Sequence, residues 1–320
     1  MVDIRAVRGA LDNSVAEAVR ALAARAHDAD GVAPLSEQPL LWLADPAAAV
    51  AHLLVERPGG PEAPGGALVG YAQLDLGAPG VASAELVVDP AVRRRGIGRG
   101  LLGQAHALAE SAGGLRVWAH GDLPSAQALA RAAGMAPVRE LWQMRLELGS
   151  ADAHPGAASS PQPPQMPDGV TVRTFVPGQD EDAWVVLNAR AFADHPEQGR
   201  LTRADLLARE SEPWFDPEGF WLAERDGRLL GSMWTKVAEP GVGEVYALGI
   251  DPDAQGIGLG GALTRLAVAA LRERGLGAVE LYTEGDNEPA IRTYARAGFT
   301  RSAVDVMYGT PAVSARPVTR

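Results

Sequence analysis

Hydrophobic and polar positions run through the chain in the same order twice. Each series opens with a short β-type segment, DIRAV or VTVRTF, and passes through amphipathic helical segments into longer strands, ALVGYAQLDL and RLLGSMWTKV. A strand that ends in Asp-Pro follows, at 83–88 and again at 244–250, and leads into a glycine-rich turn and a helix with apolar residues every three or four positions. A further strand and a second helix, closed by ARAAGM or ARAGF, complete each series. The pattern predicts two α+β domains.

The two glycine turns define an internal duplication. They align at an offset of 162 residues, which places Gly96 on Gly258 and Gly98 on Gly260. Between the copies, GSADAHPGAASSPQPPQMPD contains scarcely any large apolar residue and therefore predicts a linker. The predicted organisation is an N-terminal domain at 1–148, a linker at 149–168, a C-terminal domain at 169–310 and a tail at 311–320.

Composition excludes several classes of function. The net charge of -11, with one basic cluster at 93–95, argues against a nucleic-acid partner. The absence of cysteine removes disulfides, thiolate metal sites and an acyl-cysteine intermediate, and the six His show no metal-ligand spacing, so we expect no metal. No apolar run is long enough to span a membrane and no signal segment opens the chain, so we expect a cytoplasmic protein, acting as a monomer.

A strand, a glycine turn and an immediate helix together form an anion site. Glycine lets the backbone approach a ligand, and the unpaired N–H groups of the first helical turn point toward it, which suits a pyrophosphate. Walker A is excluded because no Gly-Lys-Ser/Thr follows either turn. A dinucleotide fingerprint matches at Gly98, Gly100 and Gly103, but three arginines separate it from the strand and the next strand lacks the ribose-binding acid. That alternative stays open as the weaker one.

Both turns, RRRGIG and QGIGLG, resemble the acetyl-CoA pyrophosphate loop of the GNAT acetyltransferase superfamily. The segment NEPAIRTYARAGF resembles the superfamily's terminal helix, and the resemblance covers nearly the whole chain. It implies two tandem GNAT domains, each a mixed, mostly antiparallel twisted sheet flanked by helices. The sheet would splay between the strand ending at Ile250 and the strand holding Tyr282, and the pantetheine arm would lie in the splay.

The resemblance also implies which residues contact acetyl-CoA. In the second repeat they are Leu248, Gly249, Ile250, Gln255, Gly256, Ile257, Gly258, Leu259, Gly260, Gly261, Asn287, Glu288, Pro289, Ala290, Ile291 and Arg292. In the first repeat they are Leu86, Val87, Val88, Arg93, Arg94, Arg95, Gly96, Ile97, Gly98 and Arg99, with the arginines adding charge for the phosphates.

Acetyl transfer to an amine needs a base, an oxyanion site and a proton for the departing thiolate. We assign the base to Glu244, which shares a strand face with Tyr246 and Leu248, two and four residues on. We assign the acid to Tyr294 and the oxyanion site to the backbone N–H near Leu248. Attack is expected to be direct.

The first repeat is expected to lack this catalytic pair. The 162-residue offset places Ala82 opposite Glu244, and the final helices, aligned on their closing glycines, place Ala130 opposite Tyr294. The first repeat is therefore predicted to hold a second acetyl-CoA without catalysis. The alternative is that its site is vacant and only the fold was kept.

Further segments, HPEQG, WTK, GEVYALGIDP and LYTEGDN, resemble tandem GNAT enzymes that acetylate the cysteinyl amine of a glucosaminyl-inositol acceptor. This implies that the acceptor is bound by Glu37, Glu197, Lys236, Glu244 and Tyr282, of which Lys236 is the only lysine in the chain. Two alternatives remain. One is a tandem GNAT for another amine, such as an aminoglycoside or a protein N-terminus, and the other is a CoA sensor without catalysis.

Overall fold

A computed structural model describes residues 2–57, 66–77, 80–149, 165–193 and 198–310. The chain forms two compact units, the first from Met1–Glu140 and Val304–Arg320 and the second from Leu141–Ala303. No helix in the described ranges is long and apolar enough to cross a lipid bilayer.

The first unit is a six-stranded mixed sheet with helices on both faces. Its elements are β1 Arg5–Arg8, α1 Asn13–Asp30, α2 Glu37–Leu41, β2 Val50–Arg57, β3 Ala67–Asp75, β4 Ala82–Val88, α3 Ile97–Ala109, β5 Leu115–Ala119, α4 Pro124–Ala132 and the ends of β6 Ala136–Glu147 and β12 Thr300–Gly309. The strand order is β1-β2-β3-β4-β5-β12, and only β4 and β5 pair in parallel. One apolar cluster lies between the sheet and α3, and another lies under α1.

The second unit repeats this plan. Its elements are β7 Thr171–Thr174, α5 Glu181–Ala191, α6 Arg203–Glu210, β8 Phe220–Arg225, β9 Arg228–Glu239, β10 Val242–Ile250, α7 Leu259–Glu273, β11 Ala278–Glu284 and α8 Glu288–Arg296. The order is β6-β11-β10-β9-β8-β7, with β10 and β11 as the parallel pair. One apolar cluster lies on the α7 side and a second, rich in aromatic rings, lies on the α5 and α6 side. The predicted α+β class is confirmed, and β3, β4, β9 and β10 match the predicted strands within two residues.

The boundaries of the units fall inside β6 and β12. Residues 141–147 of β6 pair with β11 in the second unit, and Val306–Gly309 of β12 pair with β5 in the first. Each unit is therefore completed by the last strand of the other sequence repeat, which differs from the predicted ranges 1–148 and 169–310. The physical reason is that an edge strand joins the sheet that contains its hydrogen-bonding partner strand. Repetition in the sequence does not specify which strand that partner is. Residues 150–164 of the predicted linker and the tail at 311–320 lie outside the described residues.

Candidate active site

The parallel pair of the second unit opens partway along its length, as the resemblance implies. Residues 242–245 of β10 pair with residues 278–281 of β11, and the pairing ends there. Beyond that point β10 stays paired with β9 as far as Ile250, and β11 stays paired with β6 as far as Glu284. The gap is therefore bounded by two strands that are each held from the outside. In the first unit, β4 and β5 separate in the same way after Ala84.

The glycine turn of the second unit begins α7 in the conformation that an anion site requires. Gly256 and Gly258 have φ of 80° and 87°, and Gly258 is the N-cap of α7. A Cβ placed on Gly258 would meet no protein atom within 4 Å, so the turn faces open space. The N–H groups of the first turn of α7 have no partner within the helix, and they are available to a phosphate.

Asp251 anchors this turn at the end of β10. Its buried carboxylate accepts hydrogen bonds from Arg190 (2.9 and 3.1 Å), from Arg228 (3.1 Å) and from the Asp253 N–H (2.9 Å). The bonds from Arg190, together with that N–H and Arg228, outweigh burial and hold the pKa of Asp251 well below its ordinary value. The turn therefore stays anchored by a charged carboxylate at neutral pH.

A β-bulge in β10 separates the side chains of the predicted catalytic strand. Val245 pairs with Thr235 and Ala247 pairs with Trp234, so Tyr246 is one extra residue. The bulge shifts the alternation by one position: Tyr246 and Ala247 pack on the aromatic cluster beside α5 and α6, whereas Leu248 packs under α7. The prediction that Glu244, Tyr246 and Leu248 share one face is therefore wrong for Leu248, because strict alternation holds only in a strand without an insertion.

The bulge also corrects the alignment of the two repeats. In the first unit β3 and β4 pair without interruption, from Asp75 opposite Ser83 to Gly70 opposite Val88. Counted along these ladders, Ser83 occupies the position of Glu244, and Asp75 occupies that of Lys236. The predicted counterpart, Ala82, is wrong because a constant offset ignores the inserted Tyr246. The expectation that the first repeat lacks the carboxylate at this position is confirmed.

Lys236 lies directly across from Glu244 and is held against aromatic rings. Its Nζ is 4.3 Å from the centroid of the Trp214 ring and 5.2 Å from that of Tyr246, which is cation–π geometry. The buried Arg209 donates from Nε to the Tyr246 hydroxyl at 2.6 Å and fixes that ring. Sequence reasoning missed Arg209 and Trp214, since neither belongs to a motif. The signals that pointed to this cluster were the single lysine and the segment GEVYALGIDP, which contains Tyr246.

The same face of the sheet continues onto β11. Glu280 lies across from Glu244 in the parallel ladder, and Tyr282 follows it as the first residue of that face beyond the ladder. The Tyr282 side chain is 44 % exposed. The structure therefore brings together three of the predicted acceptor residues, Lys236, Glu244 and Tyr282, on three neighbouring strands.

Tyr294 lies on the α7 side of the sheet, opposite to the Glu244 face. It is 6 % exposed and packs in the α7 cluster, with its ring centroid 6.0 Å from that of Phe299. Burial raises the pKa of Tyr294 to about 12. Tyr294 and Glu244 are therefore on opposite sides of the sheet.

The residues at the start of α8 stabilise the helix itself. The Asn287 side chain accepts a hydrogen bond from the Ala290 N–H at 3.1 Å, which caps the helix, and Arg292 forms an ion pair with Glu288 at 2.7 Å. Their predicted contacts with acetyl-CoA stay predictions.

Two further acceptor residues were predicted from the sequence. Glu37 is half-buried at the first position of α2 and belongs to the first unit. Glu197 lies outside the described residues. Both assignments stay predictions.

The first unit contains a cavity of about 620 Å³ at its own strand opening. Nine of the ten predicted contacts in this repeat line it, all except Arg95. Arg93 is already engaged, because its guanidinium donates to both Asp30 oxygens at 2.7 and 2.6 Å and to the Val88 carbonyl at 3.1 Å. Arg93 therefore stabilises the turn.

The backbone of Arg94 has φ of 64°, and the matching position in the second repeat is Gly256.

A buried polar cluster lies on the wall of this cavity. His120 forms ion pairs through Nδ1 with Asp305 at 3.0 Å and through Nε2 with Glu85 at 3.3 Å, and Glu85 accepts from the N–H and the hydroxyl of Ser36. Burial by itself lowers the pKa of His120, but the two carboxylates outweigh burial and raise it to about 10. His120 is thus a cation at neutral pH. No sequence signal links it to Asp305, because the two are far apart in the chain.

Within the described ranges, no three His, Asp or Glu side chains are grouped so that they could hold a metal ion.

Comparison with known proteins identifies related sequences and structures. The sequence profile of the acetyltransferase (GNAT) family matches residues 24–135 and 187–299. A mycothiol acetyltransferase of Cellulomonas flavigena is 58 % identical over 96 % of this chain and 89 % of its own length. A protein of the same name from Sanguibacter keddieii is 54 % identical, covering 92 % of this chain and 93 % of its own.

Two solved structures share the fold. A tandem GNAT protein from the clavulanic acid biosynthesis pathway has a TM-score of 0.68 at 24 % identity, covering 96 % of this chain and 98 % of its own. A GCN5-related N-acetyltransferase from Sphaerobacter thermophilus has a TM-score of 0.65 at 24 % identity, covering 96 % and 95 %. At this identity the likeness supports the tandem fold alone.

Proposed function

The chain belongs to the acetyltransferase (GNAT) family, and on that premise we propose that it moves the acetyl group of acetyl-CoA to the cysteinyl amine of a cysteinyl-glucosaminyl-inositol, the last step of mycothiol biosynthesis. The observation that carries the chemistry is the gap between β10 and β11, with Glu244 and Lys236 at its closed end and the glycine N-terminus of α7 at its open end. The relatives named mycothiol acetyltransferase support the choice of acceptor.

Glu244 and Tyr294 divide the proton transfers. An α-amine with a pKa of about 8 is roughly one-tenth neutral at pH 7, so Glu244 needs only to remove its proton as attack proceeds. The new C–N bond forms, the carbonyl electron pair moves to oxygen, and a backbone N–H near Leu248 stabilises that charge. Collapse breaks the C–S bond, and Tyr294 donates its proton to the departing thiolate. The positions on opposite sides of the sheet support this division, since the thioester would lie between them.

The acceptor would be bound by Lys236, Tyr282, Glu244 and Glu197. A sugar and an inositol lose many hydrogen bonds to water on binding, so the site must replace these with charged and phenolic partners. The ammonium of Lys236, held on Trp214 and Tyr246, supplies a donor whose position is already set.

The first unit would hold a second acetyl-CoA that does not react. The 620 Å³ cavity and the turn with Gly96 at φ of 85° support binding. Ser83 and Ala130, in place of a base and an acid, support the absence of turnover.

Acetylation is tested by following CoA release with four acceptors: the cysteinyl-glucosaminyl-inositol, the same compound without cysteine, an aminoglycoside and a peptide amine. We expect the highest kcat/KM with the first. Preference for another amine would show that the proposed acceptor is wrong. Binding of acetyl-CoA without CoA release for any amine would favour a CoA sensor.

Native mass spectrometry counts the bound CoA. We expect two molecules for each chain, and one if the first unit is vacant.

A further inference from the structure

Strand β6 contributes two polar side chains to the acceptor face of the second unit. Gln143 lies directly opposite Tyr282, and Arg145 lies directly opposite Glu280, in the antiparallel ladder of β6 and β11. The amide nitrogen of Gln143 donates to the Tyr282 hydroxyl at 3.2 Å and to Glu280 Oε2 at 3.2 Å. Arg145 forms an ion pair with the other oxygen of Glu280.

These contacts fix the direction of each hydrogen bond. A carboxylate only accepts, so Glu280 draws the nitrogen of the Gln143 amide, and not its oxygen, to this side. The amide nitrogen only donates, so the Tyr282 oxygen is the acceptor in their bond. The phenol has one proton, and that proton must therefore point to a different partner.

Tyr282 lies where the sheet opens. It is the first residue after the last parallel pair, Val245 with Leu281, so β10 has already separated from β11 at its level. Its side chain is 44 % exposed, and Gln143 reaches its hydroxyl from the β6 side. Strand β6 is the last strand of the first repeat.

We propose that Gln143 is a positioning residue for the acceptor, which holds the Tyr282 phenol so that its proton is donated to a hydroxyl of the sugar or inositol. The inference rests on the proposed function, in which Tyr282 binds the acceptor. The first repeat would then supply part of the acceptor specificity of the second unit through one strand. Glu280 and Arg145 act indirectly, because they orient the amide of Gln143.

Gln143→Leu keeps the approximate size of the side chain and removes its donor. We expect the KM for the full acceptor to rise about three- to tenfold, the size of one neutral hydrogen bond, with kcat and the KM for acetyl-CoA unchanged. With a simple cysteine amide, which lacks sugar and inositol, the variant and the wild type should behave alike. A structural defect would instead lower the rate with both acceptors.

Tyr282→Phe tests whether Gln143 acts through the phenol. We expect the same rise in KM, and no further rise when Gln143→Leu is added to it, because both changes remove one interaction. Ser302→Ala is the matched control: it removes a hydrogen bond to the Gln143 carbonyl at 3.2 Å and leaves the amide in place, so the acceptor KM should not change.

An unchanged acceptor KM in Gln143→Leu, or additive effects of the two substitutions, would overturn the proposal. So would an equal rise with the simple cysteine amide. Failure of the proposed function is distinguishable, since the wild-type protein would then release no CoA with the full acceptor.

Discussion

Tyr246 is the single residue that most separates the two repeats. Its insertion creates the bulge in β10 and adds an aromatic ring to the face of Glu244 and Lys236, whereas the first repeat has Ser83 and Asp75 in an uninterrupted ladder. The ladders place Ser83 and Asp75 at the positions of Glu244 and Lys236, so the loss of catalysis proposed for the first repeat follows from the identity of these side chains.

Glu244→Gln should lower the acetylation rate by about 10² to 10⁴ at pH 7, because a general base is lost, while acetyl-CoA binding is retained. The deficit should shrink as pH rises and more of the amine is neutral. Initial rates from pH 6.5 to 9.5 measure both effects. Ser83→Ala, at the matched position of the first unit, should leave the rate unchanged. An undiminished rate in Glu244→Gln at pH 7 would remove Glu244 from the role of base.

Tyr294→Phe should lower kcat by about 10²-fold with little change in either KM, since only the departing thiolate needs the proton. Burial disfavours the charged phenolate and raises the pKa of Tyr294 to about 12, so the acid stays protonated through pH 10. The wild-type pH–rate profile should therefore show no loss of rate from this group between pH 8 and 10. An alkaline decline with a midpoint near 10, absent in the Phe variant, would contradict this.

At the level of elements, the two glycine turns share one geometry. Gly96 and Gly258 are the N-caps of α3 and α7, with φ of 85° and 87°, and neither would place a Cβ within 4 Å of another protein atom. A substitution at either position therefore strains the backbone and introduces a side chain into open space, where the pyrophosphate is proposed to bind.

Gly258→Val should abolish turnover, and Gly96→Val should leave turnover in place but remove the rise in melting temperature that acetyl-CoA gives the first unit. Acetylation rate and melting temperature, each with and without acetyl-CoA, measure these effects. Gly275→Val separates strain from lost binding, since Gly275 has φ of 76° with equal space around it and lies after α7, away from the gap. That variant should be less stable yet active. Loss of activity in a folded Gly96→Val protein would show that the first turn takes part in the reaction.

At the level of the whole molecule, each compact unit draws its last strand from the other sequence repeat. In the second unit, residues 141–147 pair along the full length of β11. Without them β11 would become an edge strand with a row of open N–H and C=O groups beside the proposed acceptor site.

A fragment of residues 141–303 should therefore unfold cooperatively, whereas a fragment of residues 165–303, which lacks β6, should be poorly soluble or show no cooperative transition. Soluble yield and thermal melts by circular dichroism compare the two. Equal melting of both fragments would show that β6 adds no stability to the second unit.

The sequence by itself determined the duplication, the α+β class, the order of the elements along the chain and the two glycine turns. These follow from local rules, since apolar periodicity specifies an element and glycine permits a positive φ wherever it occurs. Glu244, Lys236 and Tyr282 were also found from the sequence, through motif resemblance, and the structure brings them onto one face.

Only the tertiary structure decided the contacts that join distant parts of the chain. The bulge at Tyr246 appears only in the pairing of β9 with β10, and the exchange of β6 and β12 appears only in the choice between two possible strand partners. Gln143 meets Tyr282, Arg209 meets Tyr246, and His120 meets Asp305 across long stretches of sequence. The energy of such contacts depends on distance in space and burial, and periodicity along the chain carries no information about either.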